Sequence, residues 1–146
     1  MNNQDLPLEG DVFEGPSKTL TDAHFLFFSG LTGDVHPVHY DVEYAKATRF
    51  GKPVAHGLLL NALTAFGAST GRDRLNGFVL IEQGCRFLSP AMVGDTVRPI
   101  QEVERIWQDG EKQFCRIKTS IKNHRGELLL DGFHVYRVFQ ERKGKP

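Results

Sequence analysis

Between Phe28 and Asp41 the chain reads FSGLTGDVHPVHYD, which puts two carboxylates, two imidazoles, two glycines and a proline into one irregular segment. Asp34 and His39 stand five positions apart, with Gly33 before the acid and Pro37 between the two. Glycine opens backbone angles that other residues avoid, while proline fixes one dihedral and biases His36 toward an extended shape. A short, stiff loop of this kind aims both side chains at one point. There a carboxylate and an imidazole can hold a water, remove its proton and return a proton to a neighbouring carbon. The same residues also suit a plain polar turn, with Asp34 capping the next segment and His39 an ordinary surface histidine.

A second candidate is VAHGLLL, where Gly57 falls at the expected start of a helix. Backbone N–H groups there lack partners, and the helix dipole favours negative charge. A helix start without a side chain lets a carbonyl oxygen approach closely and stabilises an oxyanion. The alternative is a glycine kept for packing at a crowded helix start. His56 suits a partly buried structural role better than a ligand or catalyst. Asp34, His36, His39 and His56 together offer enough ligands for zinc. However, His36 and His39 flank a proline and share no helix face, so the metal-free reading is preferred. His124 in a turn and His134 in a strand read as structural, Glu82 as a solvated strand residue and Asp95 as a turn residue.

The elements around these residues follow from periodicity. Thr21 and Asp22 make a good helix start, and Phe25, Phe28 and Leu31 recur at three-residue spacing on the face expected to be buried, with a stop near Gly30 to Gly33. A second short helix is expected from Asp41 to Thr48, closed by Gly51 and Pro53. GLLLNALTAFGAST predicts a buried helix of about thirteen residues, with Leu58, Leu59, Ala62, Leu63 and Phe66 on one face. From Phe78 onward four strand patterns follow: FVLIEQGCRF, DTVRPIQEVERIW, KQFCRIKTSIKN and GELLLDGFHVYRVF. Asp109-Gly110 marks a tight hairpin and Arg125-Gly126 the next turn, while Pro99 implies a bulge, a strand start or an edge. An antiparallel sheet with one buried helix on its face is an α+β arrangement.

Composition bounds the function. The chain has 146 residues, read as one domain over 1–146, with 40% hydrophobic and 25% charged residues, an ordinary globular balance. Eighteen basic residues match eighteen acidic ones, so no basic excess points to nucleic acid. Low net charge favours self-association. The N-terminus lacks a signal-peptide pattern and no apolar run is long enough to span a membrane, so a cytoplasmic location with Cys85 and Cys115 reduced is expected.

FSGLTGDVHPVHYDVEYAKATRFGKPVAHGLLL resembles the hydratase motif of the MaoC-like, (R)-specific enoyl-CoA hydratases of the hydratase 2 type. CRFLSPAMVGDTV, Cys85 to Val97, is similar to a further element of that family. The resemblance implies a hot-dog fold, a long antiparallel sheet around a central helix, dimerised through the sheets. It implies an acyl-CoA thioester substrate and reversible hydration of a trans-2-enoyl-CoA to an (R)-3-hydroxyacyl-CoA, with no cofactor and no metal. Asp34 and His39 match the catalytic pair, and Gly57 matches the glycine whose N–H receives the thioester oxygen. His36 stands where the family usually has Asn, and it and His56 are candidates for supporting the pair. Arg49 and Lys52 read as solvated surface, with coenzyme A phosphates as the alternative. Phe66, Phe78 and Phe87 are candidates for limiting pocket depth. The competing readings are a hot-dog thioesterase, which directs water at the thioester carbon, and an acyl-thioester-binding module without turnover.

Overall fold

The structure is a computed structural model that describes residues 6–74 and 77–139. Six antiparallel strands form one sheet in the order β1-β4-β5-β6-β3, with β2 pairing β4 beyond the end of β1. The four long strands are β3 (Phe78–Phe87), β4 (Thr96–Asp109), β5 (Lys112–Asn123) and β6 (Leu128–Val138). They fall where the alternating patterns predict. On β5, Cys115, Ile117, Thr119 and Ile121 are all fully buried, while Lys118 and Lys122 are exposed. Burying each isoleucine contributes about 1.5–3 kcal/mol, which fixes the face of the strand. Gly110, at φ 58°, turns β4 into β5, so that Asp109 pairs with Lys112.

Two short strands were not expected, because the N-terminal half reads as helical and irregular. β1 (Val12–Glu14) and β2 (Lys18–Thr19) both pair with β4. They explain how Pro99 sits inside a central strand. Gly15 N–H donates to the Pro99 carbonyl at 2.9 Å, and the missing proline N–H falls in the break between β1 and β2.

Three helices pack around this sheet: α1 (Asp22–Thr32), α2 (Val42–Lys46) and α3 (Gly57–Ala62). α1 starts at Thr21, whose N–H donates to His24 Nδ1 at 3.0 Å, and stops at Gly33, at φ 80°, whose N–H donates to Ser29 O at 2.8 Å. Phe25 is fully buried and Phe28 is half-buried, but Leu31 is 73% exposed, contrary to the expected buried face. α2 is capped by Asp41, which accepts from Tyr44 N–H at 2.9 Å.

The buried helix is the main departure. α3 has six residues where about thirteen were expected, and Leu58 is 65% exposed. Tertiary polar contacts end it. Thr64 Oγ1 donates to the Asn61 carbonyl at 2.7 Å, and the Thr64 carbonyl accepts from buried Gln101 on β4 at 3.0 Å instead of continuing the helix. Thr64 Oγ1 also accepts from His134 Nε2 on β6, and His134 Nδ1 accepts from the Tyr136 hydroxyl at 3.0 Å. The end of α3 is thereby pinned to two strands. Leu60 packs with Leu20, Phe25, Val97, Ile121 and Leu130 in the core beneath the site. Phe66, in the turn that follows, belongs to a second cluster with Phe13, Val103 and Ile117, and Phe78 packs against it.

Candidate active site

Gly33 ends α1 in a left-handed turn, so Asp34 leaves the helix at once. His36 stays extended before Pro37, and Pro37–His39 forms one tight helical turn. His36, not Asp34, caps that turn: its Nδ1 accepts from Val38 N–H at 3.2 Å. The His36 ring then lies edge-on to Tyr44, on the exposed side, with 6.3 Å between its centroid and that of His39. It supports the loop and lies outside the core of the site.

A buried strip, Pro53 to His56, runs between this loop and the turn before β4. Val54 N–H donates to Val38 O at 3.3 Å, and Ala55 N–H donates to Ala91 O at 2.8 Å. That turn is held by Asp95, a turn residue as expected, which is only 2% exposed. Its carboxylate accepts from Met92 N–H at 2.9 Å and from Arg125 at 2.9 Å.

The strip fixes the chemistry of two histidines. His39 Nδ1 is 2.7 Å from the Val54 carbonyl. A carbonyl only accepts, so Nδ1 carries a proton, and it is Nε2 that can offer a lone pair as a base. His56 Nε2–H lies 3.1 Å from both the Asp34 carbonyl and Ser29 Oγ. His56 Nδ1 is buried and has no partner among the described residues. His56 is 2% exposed, and burial pushes its pKa below the ordinary 6.5 against the opposing pull of the hydrogen bond to the Asp34 carbonyl, and so favours the neutral ring. Phe28 packs on its ring at 5.0 Å. Ser29 was not singled out from the sequence, and Phe28 only as part of a buried helix face. Their helical spacing carries no mark of the contact with His56, which is 27 positions away in the case of Ser29.

One side-chain atom each of Asp34, His39 and His56 lies within 4.8 Å of the other two. The loop therefore brings the predicted acid and imidazole together, with His56 as a third member. The geometry suits proton transfer better than metal binding. The rings of His39 and His56 are stacked at 3.6 Å, so their in-plane lone pairs run in nearly parallel planes and do not converge on one ion.

A cleft of about 440 Å³ opens beside the histidine. His39 and Gly57 both line it, with apolar walls from Val54, Leu60, Phe87 and Ala91. Gly57 is the first residue of α3, where the backbone N–H has no carbonyl of its own helix to bond. A Cβ added there would meet the Phe87 ring at 3.2 Å. Of the three candidate depth-limiting aromatics, only Phe87 reaches this cleft. Asp34 is exposed and is not among the residues that line the cleft.

A six-stranded antiparallel sheet packed on one short helix is the layout of a hot-dog domain. A solved Mycobacterium tuberculosis structure described as a double hot-dog fold matches over 96% of this chain and 44% of that one, with TM-score 0.77 and 21% identity. The family model for the MaoC like domain matches residues 6–124, and the chain belongs to that family. It is 31% identical to an (R)-specific enoyl-CoA hydratase of Aeromonas caviae, over 84% of this chain and 89% of that protein. It is also 30% identical to a solved structure named monoamine oxidase regulatory protein, from Archaeoglobus fulgius, with TM-score 0.81 and 93% of both chains covered.

Proposed function

We propose that the chain is a hydro-lyase that adds water reversibly to a trans-2-enoyl-CoA, giving an (R)-3-hydroxyacyl-CoA. The observation that carries this reading is the approach of the Asp34 and His39 side chains to within 4.8 Å, beside an apolar cleft that His39 shares with the Gly57 backbone. The hydratase named among its relatives supports the same reaction class.

In this reading the acyl thioester enters the cleft with its carbonyl oxygen toward Gly57 N–H. Asp34 and the free Nε2 of His39 accept the two protons of one water. As the water oxygen bonds to C3, the C2=C3 electron pair moves toward the thioester carbonyl. Negative charge develops on that oxygen, where Gly57 N–H and the first turn of α3 stabilise it, by about 3 kcal/mol for such a donor. One member of the pair takes the water proton, Asp34 being favoured, and a proton passes from the pair to C2. Water is thus divided between C3 and C2, and no other reactant is needed.

The enzyme acts as a homodimer. β3 ends the sheet, and Val79, Leu80 and Ile81 along it are 48–53% exposed, which suits pairing with a second copy. Among the described residues no helix is long and apolar enough to cross a membrane.

The test is a panel of trans-2-enoyl-CoAs, following loss of the conjugated-thioester absorbance, release of free thiol and product chirality. Absorbance loss without free coenzyme A and with an (R) product is expected. Release of coenzyme A would mean attack at the thioester carbon, and no change on any substrate would remove the enzyme reading.

A further inference from the structure

Resting on the acyl-CoA reading above, we infer that Arg49 anchors a phosphate of the coenzyme A handle at the rim of the catalytic cleft. Among the described residues, Arg49 is the one permanently charged residue lining that cleft. Lys52, on the same loop, does not line it. A cleft with apolar walls and a single fixed cation selects an amphipathic anion, with an apolar part inside and a negative group at the charge.

The cation lies on the solvent side. The floor is closed by Leu60 and Ala91, each 3% exposed, whereas Arg49 is exposed and two other lining residues, Phe87 and Leu88, are 50% and 52% exposed. A carboxylate at the far end of an acyl chain would need its cation at the closed end. A phosphate on the handle needs it at the rim.

Among the described residues, Arg74, Arg98, Arg116 and Arg125 each pair with a carboxylate, whereas Arg49 is without an ion-pair partner. Its guanidinium lies over the Phe50 ring, 4.9 Å from the centroid, which holds the planar fork without neutralising it. Phe50 is held in turn, its N–H donating to Thr48 Oγ1 at 3.2 Å, while that hydroxyl donates to Ala45 O at 2.7 Å.

Calorimetric titration of coenzyme A and of pantetheine into wild type, Arg49→Gln and Arg49→Lys tests this without turnover. Losing one charge-assisted contact should weaken coenzyme A binding about tenfold in Arg49→Gln, with most of it restored in Arg49→Lys. Pantetheine, which lacks the nucleotide phosphates, should bind all three proteins alike. Equal coenzyme A affinity in wild type and Arg49→Gln, or an equal loss for pantetheine, would overturn the assignment. A wild type that binds coenzyme A through Arg49 but hydrates no enoyl thioester would leave this anchor standing and remove the hydratase reading.

Discussion

The imidazoles of His39 and His56 lie face to face, with 3.6 Å between centroids and 20° between planes. Each is tethered by one nitrogen to a backbone carbonyl, His39 to Val54 and His56 to Asp34. His56 therefore touches both members of the candidate pair at once, the acid through its backbone and the imidazole through its face. Burial favours the neutral His56 ring, so a proton arriving on His39 meets no like charge beneath it.

This contact makes His56 a positioning residue with a measurable load. His56→Ala removes the stack and the N–H bond to the Asp34 carbonyl, and should destabilise the fold by about 2–3 kcal/mol. His56→Phe keeps a stacked ring but not the bond. It should recover much of the denaturation midpoint while hydration of crotonyl-CoA stays at least about tenfold low. Wild-type turnover in His56→Phe would contradict the positioning role.

Gly57→Ala separates activity from stability. Alanine is the better helix former by roughly 0.5–1 kcal/mol, and the Phe87 ring, 50% exposed, has room to shift. The denaturation midpoint should be unchanged or higher. The new methyl group would crowd the proposed carbonyl site beside the Gly57 amide, so kcat/KM should fall about tenfold or more. Unchanged kinetics would mean that the thioester oxygen binds elsewhere.

Stability should also depend on pH below neutrality. Burial pushes the pKa of His56 and of His134 below the ordinary value of 6.5. As the pH falls through 6.5 the unfolded chain takes up protons that the folded chain refuses, so stability is lost. The urea midpoint should be lower at pH 5.5 than at pH 7.5, and His134→Gln should show a smaller difference. Equal midpoints for the wild type at both values would contradict the burial of these rings as neutral groups.

Much of this was legible in the chain because its signal was local. Asp34, Pro37 and His39 lie within six positions, and the alternation in β5 is set by neighbours two apart. What escaped prediction depends on partners far along the chain. α3 stops where Thr64 meets Gln101 on β4 and His134 on β6, 37 and 70 positions away. From the sequence His56 is a candidate for supporting the pair, but its stack on His39 depends on a residue of another segment, and β1 is too short to show a period. Leu31 keeps a buried-face spacing yet is 73% exposed, which spacing alone cannot register.

The free edge of β3 gives a further prediction. Replacing Leu80 and Ile81 together by lysine places two like charges on the exposed stretch that would face its own copy. Sedimentation equilibrium should show a dimer for the wild type and a monomer for this variant. A wild type that stays monomeric at high concentration would contradict pairing through β3.

The most direct test is the steady-state rate of crotonyl-CoA hydration by Asp34→Asn and His39→Gln, measured beside wild type with the circular dichroism spectrum as the control on folding. Each substitution keeps the side-chain shape close while removing a group that accepts the water's proton, and each should lower the rate about a thousandfold with an unchanged spectrum. Wild-type turnover in either variant would contradict the claim that this carboxylate and this imidazole share one water.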